Sequence, residues 1–174
     1  MNADDHTLHD QRFLRLVADN QLKIRKLCNA YSWNRDDHED LYQEILCQLW
    51  RALPGVTQEA FADTWVYRVA LNTCITFVRK DSRVRGRQVE LDEKAVRQIP
   101  APPPSQADHL EARRALLFRA IVELNPMERA VIMLFLEDLA YDQIAEVTGL
   151  TNSNVGVILH RAKKKLSERM RELT

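Results

Sequence analysis

The sequence predicts an all-α protein: two small helical domains joined by a proline-rich linker. Three observations carry that expectation. Apolar residues recur at three- and four-residue steps, the period of amphipathic helices, and not at the two-residue alternation of half-buried strands. Glycine is scarce, with four in 174 residues. The stretch IPAPPPSQAD, residues 99–108, carries Pro100, Pro102, Pro103 and Pro104, which forbid helix and favour an extended spacer. A chain of this length suffices for one medium domain or two small ones. The expected division is 1–83, a linker over 84–108 that includes the polar, weakly patterned run after Arg83, and 109–174.

The first domain opens with a helix from about Gln11 to Tyr31, apolar along Phe13, Leu14, Val17, Ile24, Leu27 and Cys28, with a break expected near Asn20. A second helix starts at Asp36 or Asp37, whose carboxylates suit a helix N-terminus. Leu41, Ile45, Leu46, Leu49, Trp50 and Leu53 form its inward stripe, and Pro54 with Gly55 stops it. The polar loop GVTQEAFAD follows. A third helix runs from about Ala62 to Asp81, burying Trp65, Val66, Val69, Ala70, Thr73 and Phe77.

The second domain opens near Asp108 with a helix through Ile121 and Leu124. Asn125, Pro126 and Glu128 then spell a helix start: a capping asparagine, proline at the first position and glutamate three residues after the cap. Val131, Ile132, Leu134 and Phe135 make that helix's buried side. From Tyr141 to Leu166 the chain reads as helix, tight turn and helix. Ala145 is small where the helices cross. Gly149 ends the first helix, where a left-handed backbone angle suits glycine. Val155 points into the angle between them, and Ile144, Leu150, Ile158 and Leu159 complete the seam. That pattern predicts a helix-turn-helix whose second helix enters a DNA major groove. Thr151, Asn152, Ser153 and Asn154 crowd its start, where such residues cap helices or reach bases and phosphates. Arg161, Lys163, Lys164 and Lys165 follow.

Charge is balanced overall, with 25 Lys plus Arg against 25 Asp plus Glu, which argues against a protein that coats DNA. The balance is uneven along the chain. Acids gather at Asp36, Asp37, Glu39, Asp40 and Glu44. Bases gather at Arg79, Lys80, Arg83, Arg85 and Arg87, and again from Arg161 to Lys165. Separate patches suggest a basic protein surface as one partner and a nucleic acid as the other. Cys28, Cys47 and Cys74 form no CxxC pair and read as buried free thiols of a reducing cytoplasm. The N-terminus is acidic and polar, unlike a signal peptide. His6 and His9 belong to it, and it is expected to be disordered rather than metal-binding. The longest apolar run, Ala130 to Leu136, is too short for direct membrane insertion. No cofactor or metal site is expected.

On the third helix, Arg68, Asn72, Thr76, Arg79 and Lys80, with Arg83 just beyond, make a polar basic face flanked by Phe61, Trp65 and Tyr67. Aromatics beside a basic helix can support splayed bases of single-stranded DNA. On the second helix, Glu39, Asp40, Gln43 and Glu44 make an acidic and amide face suited to an arginine-rich protein element.

In order, DDHEDLYQEILCQLW, FADTWVYRVALNTCITFVRK and the segment from LNPMERAV to HRAKKKL resemble the extracytoplasmic-function (ECF) sigma factors of the sigma-70 family. The resemblance covers almost the whole chain outside the linker and the extreme ends. It implies a bacterial transcription initiation factor, cytoplasmic and not an enzyme. Such a factor binds core RNA polymerase and directs it to promoter DNA by recognising the −10 and −35 elements and aiding melting. The first domain resembles sigma region two. By that resemblance Asp40, Gln43 and Glu44 dock on the coiled coil of the largest polymerase subunit. Asn72, Thr76, Arg79 and Lys80 match DNA-facing positions for the −10 element, on a face that also holds Arg68 and Arg83. The loop from Val56 to Asp63 holds a flipped base. The second domain resembles sigma region four, with Asn152, Ser153 and Asn154 on the −35 element and Arg161 and Lys164 on phosphates. Part of that domain rests on the polymerase flap, and the linker passes toward the RNA exit path. An anti-sigma factor is a common partner in the family.

Three positions depart from the family pattern. Gly156 and Ile158 stand where many members carry Lys or Arg, and Gly156 costs the helix about 1 kcal/mol relative to alanine. Thr76 replaces a frequent aspartate. The rival reading is a sigma-mimicking adaptor that binds an anti-sigma factor without reading DNA; such a protein tends to lose the basic −10 face, which this chain keeps.

Overall fold

A computed structural model describes residues 3–56, 62–84 and 106–172, with side chains described over 8–56, 64–80 and 112–172. These residues form α1 (Ala3–Tyr31), α2 (Arg35–Ala52), a 3-10 turn (Leu53–Gly55), α3 (Ala62–Val84), α4 (Gln106–Val122), α5 (Pro126–Leu136), α6 (Tyr141–Thr148) and α7 (Asn152–Glu172). No strand occurs among them. Helix α4 begins at Gln106, inside the span read as linker. Most of that span, and residues 57–61 of the loop assigned to a flipped base, lie outside the described residues.

Helices α1, α2 and α3 pack on one another through Ile24, Leu27, Tyr31, Leu41, Ile45, Leu49, Val66, Ala70, Leu71 and Cys74, all buried. Four expectations for α1 are corrected. The helix begins at Ala3, well before Gln11. It also runs unbroken through Asn20, whose buried side chain donates Nδ2 to the Leu16 carbonyl one turn back at 3.0 Å. From Ala3 on, the segment expected to be disordered is helical, and His9 sits edge-on to Trp50 at 4.1 Å between ring centroids. Leu14, read as core, is 66% exposed because it falls off the stripe set by Phe13, Leu16 and Ile24.

Helix α2 is capped by Asn34, whose Oδ1 accepts from the Asp37 backbone N–H at 2.8 Å. Its buried face holds Leu41, Tyr42, Ile45 and Leu49. Cys47 lies off that face and is exposed, a correction to the reading of three buried thiols. Burial does hold for the other two, pushing the Cys28 thiol up to about 12 and Cys74 well above its ordinary value.

The second group packs around α7, whose buried stripe is Val155, Leu159, Ala162 and Leu166. The start of α5 is the predicted one: Asn125 Oδ1 accepts from Glu128 N–H at 2.9 Å, with the Glu128 carboxylate answering the Asn125 N–H and Pro126 at the first position. Glu128 is buried and also takes Lys165 Nζ at 2.6 Å. Helix α6 closes on Gly149 at φ +74°, the left-handed cap. Thr151 Oγ1 then accepts from the Asn154 N–H at 3.3 Å and starts α7.

The two groups are docked on each other, α3 against α6 and α1 against α4. Arg129 of α5 is the pin. It is buried, lies over the Tyr31 ring with its guanidinium carbon 5.0 Å from the centroid, and donates to the carbonyls of Ala30 (2.7 Å), Leu124 (3.1 Å) and Val122. Desolvation lowers its pKa; the three carbonyls supply the hydrogen bonds that make a buried cation tolerable. Tyr31 donates its hydroxyl to the Pro126 carbonyl at 2.8 Å, and burial raises its phenol pKa. Glu137 accepts from Lys26 at 2.6 Å and from the Tyr67 hydroxyl at 3.2 Å.

Candidate nucleic-acid interface

Each face is best read from which charges the fold has already used. Among the four bases in the run on α7, Lys165 is paired with Glu128 and Lys163 lies over the Phe135 ring, 3.8 Å from its centroid. Arg161 and Lys164 are exposed and have no ion-pair partner among the described residues. Asn152, Ser153 and Asn154 are exposed on the first turn of α7, beside the cap on Thr151. The outward face of this helix therefore presents hydroxyl and amide groups at its start and two uncommitted cations further on. Short polar groups read base edges while cations grip phosphates. Gly156 is half-buried and faces Tyr141; a Cβ there would stand 3.7 Å from Tyr141 Cε2. Ile158 is half-buried against the core, so it does not belong to the outward face.

On α3, Asn72, Thr76, Arg79 and Lys80 are exposed. The side chain of Arg83 lies outside those described. Arg68 is placed differently. Its Nη2 donates to the Glu146 carbonyl at 2.8 Å and lies 3.4 Å from that residue's Oε1, across the contact between α3 and α6. Tyr67, read as flanking the basic face, is buried at 3% exposure and turned toward Glu137. Trp65 is half-buried against the core.

The acidic face of α2 stands beside the polar face of α3. Asp40, Glu44 and Gln48 recur at four-residue steps and line one wall of an open groove of about 590 Å³. Asn72, Thr76 and Lys80 line the other, with Val69 and Phe77 as apolar floor. Gln48 donates to Glu44 Oε1 at 2.7 Å. Gln43 is exposed on the same helix. The sequence read these as two patches for two partners; the fold sets them side by side, so one occupant constrains the other. Gln48 was missed because a lone glutamine at the end of an acidic run carries no signal until its four-residue spacing is seen on the helix.

Comparison with known proteins places these faces in context. Residues 16–84 match the model for sigma-70 region 2, and residues 114–166 match that for sigma-70, region 4. The chain is 28% identical over 149 residues to the RNA polymerase sigma factor SigV of Bacillus subtilis, covering 85% of this chain and 84% of that protein. It is 28% identical over 156 residues to the ECF RNA polymerase sigma factor SigE of Mycolicibacterium smegmatis, covering 88% of this chain and 59% of that one. Among solved structures, CnrH in complex with the cytosolic domain of CnrY superposes with a TM-score of 0.64 at 21% identity, over 95% of this chain and 91% of that one. RpoE in complex with the anti-sigma factor NepR from Bartonella quintana gives 0.66 at 20% identity, over 93% and 96%. At such identities the structures speak to the fold.

Proposed function

The chain belongs to the sigma-70 family of bacterial transcription initiation factors, in its extracytoplasmic-function group, and from that premise we propose how its faces divide the work. Asp40, Gln43 and Glu44 on α2 dock core RNA polymerase. Asn72, Thr76, Arg79, Lys80 and Arg83 on α3 engage the −10 element, and Arg68 joins them once released from Glu146. On α7, Asn152, Ser153 and Asn154 read the −35 element while Arg161 and Lys164 hold phosphates. The chain acts in the cytoplasm by binding rather than by turnover. No described helix is long and apolar enough to cross a membrane. CnrH and RpoE are each held by a partner in their solved complexes, which supports an anti-sigma partner here too.

The observation that carries this reading is the sorting of cations on α7: all four are exposed, but Lys165 is paired with Glu128 and Lys163 lies over the Phe135 ring, while Arg161 and Lys164 have no ion-pair partner among the described residues. So few uncommitted phosphate contacts give weak DNA binding alone, because affinity grows with the number of phosphates neutralised. Polymerase supplies the rest by holding both reading faces at one spacing, so that their contacts add.

Footprinting tests this directly. The protein alone should protect no promoter, and the protein with core polymerase should protect the −10 and −35 regions together. If the polymerase-bound protein protects none, the reading gives way to that of an adaptor that binds an anti-sigma factor and no DNA.

A further inference from the structure

Val157 lies on the second turn of α7, on its outward face, opposite the buried stripe of Val155, Leu159, Ala162 and Leu166. It is 47% exposed. The residues one turn before and after it are Ser153, Asn154, His160 and Arg161, all exposed. A single exposed valine is ordinary on a protein surface. This one is ringed by polar groups at the centre of the face assigned to duplex DNA. Its neighbour Gly156 has no side chain to screen it, and the nearest atom to that side is the Tyr141 ring, 3.7 Å from where a Cβ would stand. A β-branched residue in a helix is also held to one preferred rotamer, so its methyl groups form a rigid apolar tip.

In the major groove the base edges offer donors and acceptors, with one apolar feature, the C5-methyl group of thymine. A polar base edge set against Val157 would lose water and gain no hydrogen bond, which is costly. A thymine methyl would lose nothing and bury apolar surface. We propose that Val157 is a specificity-determining residue of this chain that selects thymine within the −35 element by contact with its methyl group. The inference rests on the assignment of α7 to the −35 element. It leaves hydrogen-bonded readout to Asn152, Ser153 and Asn154 and adds one position read without any hydrogen bond.

The test replaces thymine by uracil, one position at a time, through the −35 region of a promoter bound by holoenzyme. Uracil differs from thymine only by the methyl. One replacement should weaken binding by about four-fold, the equivalent of one buried methylene. With Val157→Ala holoenzyme the same replacement should change nothing, and its affinity for the thymine promoter should fall to that of the wild-type protein on uracil. If no uracil replacement discriminates, or if Val157→Ala keeps the full thymine preference, the methyl contact is overturned. Scrambling the whole −35 region separates this from the larger assignment. Loss on scrambling with no uracil effect removes the Val157 role alone, whereas no loss on scrambling removes the −35 assignment of α7 with it.

Discussion

Cys28, Cys47 and Cys74 show how a single turn of helix decides a residue's chemistry. Cys28 and Cys74 face the core of the first helical group, and burial holds both thiols protonated at neutral pH, Cys28 up to about 12. Cys47 faces solvent. A thiol reagent at pH 8 should therefore modify one cysteine per folded chain rapidly and three after denaturation, and Cys47→Ser should abolish the fast reaction. Two or more fast thiols would contradict the burial. The basic run on α7 makes a related point. Sequence shows four cations within five residues but not which are spent, because Lys165 finds Glu128 37 residues away and Lys163 finds the Phe135 ring. Uncommitted charge is a tertiary property. The identity of Arg161 and Lys164 as candidates was legible; the reason they are available was not.

At the level of elements, caps and stops were the most legible features. Asn125, Pro126 and Glu128 start α5, and Gly149 ends α6, where local backbone chemistry alone decides the outcome. The start of α2 was read one or two residues late, since Asp36 and Asp37 are themselves plausible first-turn residues and mask the cap on Asn34. Asn20 suggested a break that a bond to the Leu16 carbonyl removes. Two glycines on either side of the turn give opposite expectations. At Gly149 there is room for a Cβ but φ is +74°, so Gly149→Ala should destabilise the protein by about 1–2 kcal/mol through backbone strain. At Gly156 the added Cβ meets Tyr141 at 3.7 Å, an ordinary contact, so Gly156→Ala should stabilise by up to about 1 kcal/mol. Urea denaturation of the two variants checks both signs, and shifts in the same direction would contradict the geometry. Helix α2 carries its own test. Asp40→Ala with Gln43→Ala removes two exposed side chains, so it should weaken capture of core polymerase while leaving the denaturation midpoint within error of wild type. Unchanged capture would clear that face of a docking role.

The docking of the two helical groups was the least legible feature of the molecule. Nothing in the sequence singles out Arg129, yet it is buried and reaches the Ala30 carbonyl 99 residues away. Pairings of that range leave no local trace. The docked form has a consequence for promoter recognition. The −10 and −35 elements lie roughly 85 Å apart along duplex DNA at 3.4 Å per base pair, while α3 and α6 touch, with Arg68 bonded to Glu146. On the proposed assignments, the faces on α3 and α7 cannot meet both elements until the groups part. Spin labels on the exposed Cys47 of α2 and on Ser167→Cys of α7 should report a distance that lengthens by on the order of tens of ångströms when core polymerase is added. An unchanged distance in a transcription-competent complex would refute that opening.

Promoter selection by this chain is tested most directly by mapping RNA start sites in vitro on a library of randomised promoters, with purified core polymerase alone and with this protein added. The predicted result is a new set of starts that share common sequences near −10 and −35 and that fade when Asn72 or Arg161 is replaced by alanine. If the added protein yields no start that polymerase alone does not already make, the central claim is contradicted.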